Sequence, residues 1–353
     1  MIHYQHGNLL QSDAEALVNT VNCVGVMGKG IALQFKQAFP ANYTAYEKAC
    51  KAHTVKPGEM FVVETGNLFN PRWIINFPTK THWRASSRLE HIEQGLVDLI
   101  RVIREHGIRS IALPPLGCGN GGLDWQLVQP LIEACLAKLP EVDVFVYPPQ
   151  QAPAADMMPV ATPKPELTRA RALFIKLIEQ YCLPGYRLSL LEIQKLSYFL
   201  QAAGEPLRLN FKAHHYGPYA DNLNHVLQRL EGHFIRGYGD RSKDAEIHLL
   251  PNAIEAADAF LNDDSEAGQR LTRIKTLIEG FETPYGIELL ATVHWVQQQH
   301  PDASESEIVK QVHQWSQRKK ALMRDNHILK ALSRLRETGW DKLTLPNKTA
   351  LAS

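Results

Sequence analysis

Residues 25–30 read Gly-Val-Met-Gly-Lys-Gly and lie between a β-like run that ends at Asn22 and a helical run from Ile31 to Phe39. Glycine lets the backbone approach an anion without a Cβ in the way, and the helix that follows points its unpaired N–H groups at that anion. The stretch therefore predicts a strand, a phosphate-binding loop and a helix in succession.

A second glycine loop, Leu116 to Gly122, follows a strand-like run from Ile108 to Pro114 and precedes another helical stretch. Either loop alone is a weak signal, because glycine serves ordinary turns more often than ligands. Two such loops, each between a strand and a helix, suit a ligand that carries two phosphates. The sequence thus favours a diphosphate site.

Length and composition set the broad class. A chain of 353 residues exceeds the usual span of one hydrophobic core, which predicts two domains. The formal charge of +1 gives no general attraction to nucleic acid, so a DNA contact has to come from a local patch. The five cysteines are odd in number and lack CxxC or Cys/His metal spacing, which argues against disulfides and zinc and favours a reducing cytosol.

The start of the chain has no basic and apolar leader pattern, and no run of about 18 uncharged apolar residues occurs. We therefore expect a soluble, cytoplasmic protein without membrane contact. We also expect no metal and no cofactor.

From Met1 to about Tyr147, short β-branched runs alternate with longer amphipathic ones, which predicts an α/β domain with a parallel or mixed sheet between helices. Ligands bind at the carboxyl ends of the strands in such sheets. Both glycine loops and the Pro78-Thr79-Lys80 corner follow strands, so we expect them to converge on one crevice. The expected strands are 2–6, 16–21, 60–65, 73–77, 109–114 and 142–147, and the expected helices are 29–39, 41–52, 87–106 and 124–138.

The stretch 148–165 is rich in Pro, Ala and Gln and lacks apolar periodicity, which indicates a linker. We place a first domain at 1–150, a linker at 151–166 and a mainly α-helical second domain at 167–353. Helical patterns in the second domain cover 168–181, 190–203, 219–230, 253–262, 287–299, 305–315 and 323–336.

Lys80 is the strongest candidate for chemistry, because it lies at a strand exit beside both glycine loops. A free lysine has a pKa near ~10.4, so only about one in a thousand is neutral at pH 7. Burial or a nearby helix N-terminus would lower that pKa, whereas a bound diphosphate would favour the ammonium. Otherwise a base has to take the proton during attack.

Other polar residues near the loops have two interpretations each. Asn19 and Asn22 suit a ribose or a water molecule, but local turn bonding is an equal alternative. Trp83 and Arg84 suit a stacked base on the leaving-group side, or simple packing. Cys118 has no sequence-linked histidine, which favours a structural thiol.

The second domain and the loops give little further sign of chemistry. His214 and His215 form a pair without a second ligand cluster, a weak signal for metal. The loops also lack the carboxylate pair of glycoside hydrolases.

Several motifs together resemble a macrodomain, and more closely the DarG family of antitoxins. They are Gly7-Asn8-Leu9, Asn19-Thr20-Val21-Asn22, GVMGKGIALQFK from Gly25, Pro78-Thr79-Lys80 and GCGNGGLDW from Gly117. The resemblance covers residues 1 to about 150. Residues 167–353, with the runs 191–199 and 215–219, are similar to the helical antitoxin domain of the same family.

The resemblance implies ADP-ribose as the ligand, with its adenosine end near Asn8 and Leu9, its distal ribose near Asn22 and Lys80 as the catalytic lysine. Related terminal-ADP-ribose glycohydrolases have an assisting aspartate where this chain has Gly121, and many macrodomains have an aspartate in place of Asn8. The full set of ADP-ribose-binding residues implied is Asn8, Leu9, Thr20, Val21, Asn22, Gly28, Gly30, Ile31, Ala32, Thr79, Leu116, Gly117, Cys118, Gly119, Asn120 and Gly121.

The same resemblance implies an antitoxin that hydrolyses the N-glycosidic bond between ADP-ribose and thymine in single-stranded DNA. Its second domain would bind and inhibit a DarT-like ADP-ribosyltransferase toxin. The segment from Asp244 to Gln269 has carboxylates and no Lys or Arg, so it could occupy a basic groove of the toxin or be a solvated surface. Three alternatives remain open: an ADP-ribose reader without hydrolysis, a hydrolase acting on modified protein, and a pure interaction protein that acts through 167–353.

Overall fold

The computed structural model describes residues 1–182, 185–242 and 244–343. The chain divides into two compact units, of which the first comprises Met1–Pro163 with Gly239–Ser242. The second comprises the described residues of Lys164–Tyr238 and Lys243–Ser353. Residues 151–163, expected as a linker, thus group with the first unit, and the end of the expected second domain, 344–353, lies outside the described residues.

The first unit is built on a six-stranded mixed sheet with the order β1-β6-β5-β2-β4-β3. All neighbouring strands pair in parallel except β3 and β4, which are antiparallel. The central strands are buried on both faces, which explains their continuous apolar sequence. The strands are β1 Ile2–Tyr4, β2 Ala16–Val21, β3 Phe61–Glu64, β4 Trp73–Pro78, β5 Ser110–Leu113 and β6 Asp143–Val146.

Helices cover both faces of this sheet. Alternate side chains of β2 point to opposite sides, so that Val18 joins a core with Leu96 and Ile132, and Leu17 joins a separate core with Phe35. The helices are α1 Gly30–Ala38, α2 Pro40–Lys51, α3 Leu89–Glu105 and α4 Trp125–Leu136. A mixed sheet between helices confirms the fold class predicted for this half of the chain.

The second unit is mainly helical, as predicted. Its described helices are α5 Arg169–Tyr181, α6 Leu190–Ala202, α7 Leu223–Leu230, α8 Ala253–Leu261, α9 Ser265–Ile278, α10 Pro284–Gln299, α11 Glu305–Trp315, α12 Gln317–Leu322 and α13 Asp325–Glu337. Short strands connect some of them, namely β7 Leu188–Ser189, β8 Lys212–His214, β9 Gly217–Tyr219, β10 Ile235–Arg236 and β11 Glu246–Leu249. Among the described residues, no helix is both long enough and apolar enough to span a membrane.

Candidate active site

Three neighbouring strands of the first unit end at the same edge of the sheet. β2 pairs in parallel with β4 on one side and with β5 on the other, so their carboxyl ends point the same way. The first glycine loop follows β2, Thr79 and Lys80 follow β4, and the second glycine loop follows β5. The backbone N–H of Thr79 donates to the carbonyl of Val21 at 3.0 Å, which ties the first two exits together.

Lys80 points at the second glycine loop. Its Nζ donates to the backbone carbonyl of Asn120 at 2.9 Å, and the residue is only 9% exposed. Burial lowers the pKa of Lys80 below its ordinary value. The amine is therefore held at the sheet rim and not in bulk solvent, and its burial shifts the protonation equilibrium towards the neutral form.

The two glycine loops approach each other through Gly30. This residue has φ +62°, a region that suits glycine, and a Cβ there would lie 2.7 Å from the side-chain Nδ2 of Asn120. Asn120 thus contacts Lys80 through its carbonyl and faces Gly30 through its amide. The predicted convergence of the three strand exits is confirmed.

Helix α1 begins at Gly30 and has no acidic residue in its first turn. The N–H of Gly30 donates to the backbone carbonyl of Asp240 at 2.9 Å, and Gln34 Nε2 donates to the Asp240 carboxylate at 3.3 Å. Asp240 belongs to the first unit. One of the orphan N–H groups at this helix start is thus already paired with protein.

The side chain of Asn22 is engaged within the first glycine loop. Its Oδ1 accepts from the N–H groups of Val24 and Val26 at 3.0 and 3.4 Å, and its Nδ2 donates to the Val26 carbonyl at 2.6 Å. Tyr46 also donates to the Asn22 carbonyl at 2.6 Å. Local turn bonding is therefore present, and a contact of Asn22 with ribose stays a prediction.

The side chain of Asn19 is bonded within the protein interior. It is fully buried, and its Nδ2 donates to Asn76 Oδ1 at 3.1 Å. Asn76 in turn exchanges hydrogen bonds with Asn42. Of the two interpretations given for Asn19, the structural one fits this buried amide chain.

Gly121 occupies a place where no side chain fits. A Cβ at this residue would lie 2.3 Å from the carbonyl of Gly117 and 2.3 Å from Ser87 Oγ. The backbone of Ser87 also donates to the Gly121 carbonyl at 2.9 Å. Ser87 is a residue that the sequence did not single out, since only the fold brings it to the second loop.

Comparison with known proteins identifies the family. A Macro domain model matches residues 18–132. A DNA ADP-ribosyl glycohydrolase of Thermus aquaticus is 50% identical over 339 residues, which cover 96% of this chain and 94% of that protein. The chain belongs to the DarG family of DNA ADP-ribosyl glycohydrolases.

Two further similarities concern parts of the chain. A DNA ADP-ribosyl transferase-DNA ADP-ribosyl glycohydrolase fusion protein of Thermosipho africanus is 37% identical over 166 residues, 43% of this chain and 42% of that protein. The solved macrodomain of Mycobacterium tuberculosis DarG has 63% identity and a TM-score of 0.42, and the match covers 42% of this chain and 99% of that one.

At the adenosine end implied by the DarG family, Asn8 is partly exposed. Its Oδ1 accepts from Leu10 N–H at 3.0 Å and caps a short 3-10 turn, Leu9–Gln11. Its Nδ2 donates to the Met157 carbonyl at 3.2 Å. The side chain is therefore bonded locally, and its contact with adenine stays a prediction.

The roles of the remaining residues implied by the DarG family stay predictions. Cys118 has a pKa raised to about 11, chiefly by burial, so its thiol is protonated at neutral pH, which supports a structural thiol. Buried members are Leu9, Val21, Thr79, Leu116 and Gly117, half-buried members are Thr20, Gly28, Ile31, Ala32 and Cys118, and exposed members are Gly119 and Asn120.

Metal ligands do not cluster in the part of the chain that the structure describes, where no group of three His, Cys, Asp or Glu side chains could hold an ion. His214 and His215 are both exposed, and the carbonyl of His214 accepts from Trp315 Nε1 at 2.8 Å. The pair therefore gives no geometric sign of a metal site.

Proposed function

We propose that the first unit hydrolyses the N-glycosidic bond between ADP-ribose and thymine in single-stranded DNA and so reverses modification by a DarT-like toxin. The observation that carries this proposal is the position of Lys80, whose Nζ is held 2.9 Å from the Asn120 carbonyl at the meeting point of both glycine loops. The similarity to DNA ADP-ribosyl glycohydrolases over most of the chain supports the choice of reaction.

The geometry suggests how the parts act. Backbone N–H groups of the two loops would bind the diphosphate, and the distal ribose would then lie against Lys80. Because burial lowers the pKa of Lys80, a larger fraction of the amine is neutral at a given pH. In one route the neutral amine attacks the anomeric carbon while the N-glycosidic bond breaks, thymine leaves with the electron pair and takes up a proton, and water then hydrolyses the ribosyl–lysine bond to release ADP-ribose. In the other route water attacks the anomeric carbon and the ammonium stabilises the negative charge on the departing thymine. Both roles need this position of Lys80.

Lys80→Ala tests the mechanism. We expect release of ADP-ribose from a thymine-modified oligonucleotide to fall by about 100-fold or more, while calorimetry still detects ADP-ribose binding. Lys56→Ala, an exposed lysine outside the site, is the matched control. Wild-type hydrolysis by Lys80→Ala would contradict the lysine mechanism.

Substrate choice separates the alternatives. If the wild-type chain binds ADP-ribose but releases none from either modified DNA or modified protein, the domain is a reader. Faster release from modified protein than from thymine-modified oligonucleotide would favour the protein hydrolase.

We further propose that the second unit inhibits the toxin. The relative in which transferase and glycohydrolase share one chain supports an ADP-ribosyltransferase as the partner. The acidic segment 244–269 is partly neutralised inside the unit. Asp258 pairs with Lys176 at 2.7 Å, and Asp264 pairs with Arg169 at 2.5 Å. We therefore propose that toxin contact uses exposed carboxylates such as Glu255.

Lys80→Ala also separates the two functions. The inactive variant should still slow ADP-ribosyl transfer by the toxin when added in excess, because binding does not need hydrolysis. Glu255→Lys in the same background should weaken that inhibition. If Lys80→Ala inhibits no transfer, direct neutralisation by the second unit is wrong.

A further inference from the structure

We propose that residues 81–91, here called the 81–91 segment, form a subsite for the nucleotides that flank the modified thymine in single-stranded DNA. The inference rests on the proposed function and deepens it. It assigns a DNA contact to a segment outside both glycine loops.

The 81–91 segment lies next to Lys80 and contacts both glycine loops. Thr81 follows Lys80 directly, and its carbonyl accepts from Cys23 N–H at 3.1 Å in the first glycine loop. The backbone N–H of Ser87 donates at 2.9 Å to the carbonyl of Gly121, which lies in the second glycine loop. The 81–91 segment is therefore anchored at both loops, with the reactive amine at its beginning. A polymer attached to the leaving base passes close to such a segment.

Two cavities lie beside the 81–91 segment. A cavity of about 290 Å³ lies along the 81–91 segment, lined by Thr81, Ala85, Ser86, Arg88 and His91. A larger, open cavity of about 570 Å³ shares Arg88 and His91 with it and extends to Gln94 and Leu123. Both volumes fall in or near the range of small-ligand sites, roughly 300–1,000 Å³.

The 81–91 segment combines an exposed aromatic ring with a neighbouring cation. Trp83 is 46% exposed, and the guanidinium of Arg84 lies 4.5 Å from its ring centre. The ring of His82 stacks against the ring of Trp83, with 5.3 Å between the two ring centres. Exposed aromatic rings with adjacent cations bind single strands without sequence preference, because every base offers a flat face and every link a phosphate.

Charge agrees with this assignment. The 81–91 segment carries two guanidinium groups, Arg84 and Arg88, against the single carboxylate of Glu90. The whole chain has a formal charge of only +1. A local cationic patch next to Lys80 is therefore the kind of feature that a nearly neutral chain needs to hold DNA.

The 81–91 segment contains two polar atoms whose hydrogen-bonding capacity is unsatisfied among the described residues. Ser87 Oγ and His91 Nδ1 are both buried and have no hydrogen-bond partner among the described residues. Both side chains line the larger cavity. Buried polar groups in proteins are nearly always bonded, so hydrogen bonds to a bound nucleotide would satisfy these two atoms once a side-chain rotation turns them towards the cavity.

The test compares two substrates on the full chain: ADP-ribosylated thymidine monophosphate and an oligonucleotide with one ADP-ribosylated thymine. We expect the wild type to prefer the oligonucleotide in kcat/KM. Trp83→Ala and Arg88→Ala should each lower kcat/KM on the oligonucleotide at least 10-fold and change it less than twofold on the mononucleotide. Trp83→Phe should keep most of the preference, since stacking remains.

Arg104→Ala is the matched control, because this exposed arginine lies in the last turn of α3, at the opposite end from Arg88. Binding of an unmodified oligonucleotide, measured by fluorescence anisotropy, is a second readout. Removing one phosphate contact with Arg88→Ala should reduce the slope of log K against log salt by about 0.7.

Several outcomes would overturn the subsite. They are an equal loss on both substrates, no loss on the oligonucleotide, or no preference for it by the wild type. Failure of the proposed function is distinguishable, because a chain that hydrolyses neither substrate can still be assayed for oligonucleotide binding and its dependence on Trp83. Tight binding of a phosphopeptide in place of the oligonucleotide would also contradict the assignment.

Discussion

A single methyl group at Gly121 should disrupt the second glycine loop. The Cβ of Gly121→Ala would lie 2.3 Å from the carbonyl oxygen of Gly117 and 2.3 Å from Ser87 Oγ, far inside normal contact distance. The Gly117 carbonyl does not move freely, because Gly117 has φ +73° and this carbonyl accepts from Leu123 N–H at 3.1 Å. Overpacking costs about 2 kcal/mol, and one broken loop hydrogen bond adds about 1 kcal/mol.

A loss of about 3 kcal/mol corresponds to a fall in Tm of about 6–12 °C for a unit of this size. Differential scanning fluorimetry measures that shift, and Gly119→Ala is the control for stability because nothing lies within 4 Å of its Cβ. Ser87→Ala combined with Gly121→Ala relieves one of the two contacts and should recover part of the loss. Equal Tm values for Gly119→Ala and Gly121→Ala, with unchanged ADP-ribose affinity, would refute the steric argument.

Three further outcomes are expected. Because burial lowers the pKa of Lys80, a rate that depends on the neutral amine should rise with pH and reach its plateau below the pH range of an ordinary lysine, as a pH–rate profile would show. Burial lowers the pKa of Lys195 to about 7, so between pH 7 and about 10.4 the unfolded chain binds one more proton than the folded chain. The free energy of unfolding therefore rises with pH in this range, by up to about 1.4 kcal/mol per pH unit. Lys195→Met should flatten this rise, as denaturant titrations at pH 7 and 9 would show. Gly30→Ala, with φ +62° and a methyl 2.7 Å from Asn120 Nδ2, should weaken ADP-ribose binding in calorimetry.

The elements of the first unit could be predicted because its strands are buried on both faces. A run such as Trp73–Pro78 is apolar except for Asn76, so its limits are visible without knowledge of its neighbours. The same continuity hides the strand order, because a strand buried on both faces does not show which strand lies beside it. That β2 lies between β4 and β5, which brings Lys80 to the second loop, emerges only from the fold.

The second unit shows where sequence patterns fail. Helix α9 was not predicted, although Ala267, Leu271, Ile274 and Ile278 repeat at helical spacing and are buried. The sequence around the start of α9 is rich in carboxylates and was interpreted by its charge, not by its apolar spacing. The helix predicted from 219 begins at Leu223, because the residues before it form strand β9 and a turn.

Helix α12 is polar at four of its six positions, and one of its lysines, Lys319, is fully buried. Lys319 Nζ bonds Glu288 Oε1 at 2.8 Å and Thr292 Oγ1 at 2.9 Å, both on α10. A lysine at such a position is normally assigned to the surface, since burial of an ammonium is costly without partners. The partners are 27 and 31 residues away in sequence, so no local pattern announces them.

The glycine at position 121 and the lowered pKa of Lys80 are physically consistent with each other. An aspartate close to Lys80 would favour its ammonium and raise its pKa, whereas burial favours the neutral amine. Among the described residues, burial is the cause of the shift of Lys80, and no carboxylate contributes to it. The packed space at Gly121 excludes an aspartate sterically. Desolvation makes an amine more nucleophilic and so favours attack on the anomeric carbon, whereas an electrostatic stabiliser needs the ammonium. Hydrolysis that persists in a Lys80→Arg variant without this pH dependence would favour the electrostatic role, because arginine stays charged.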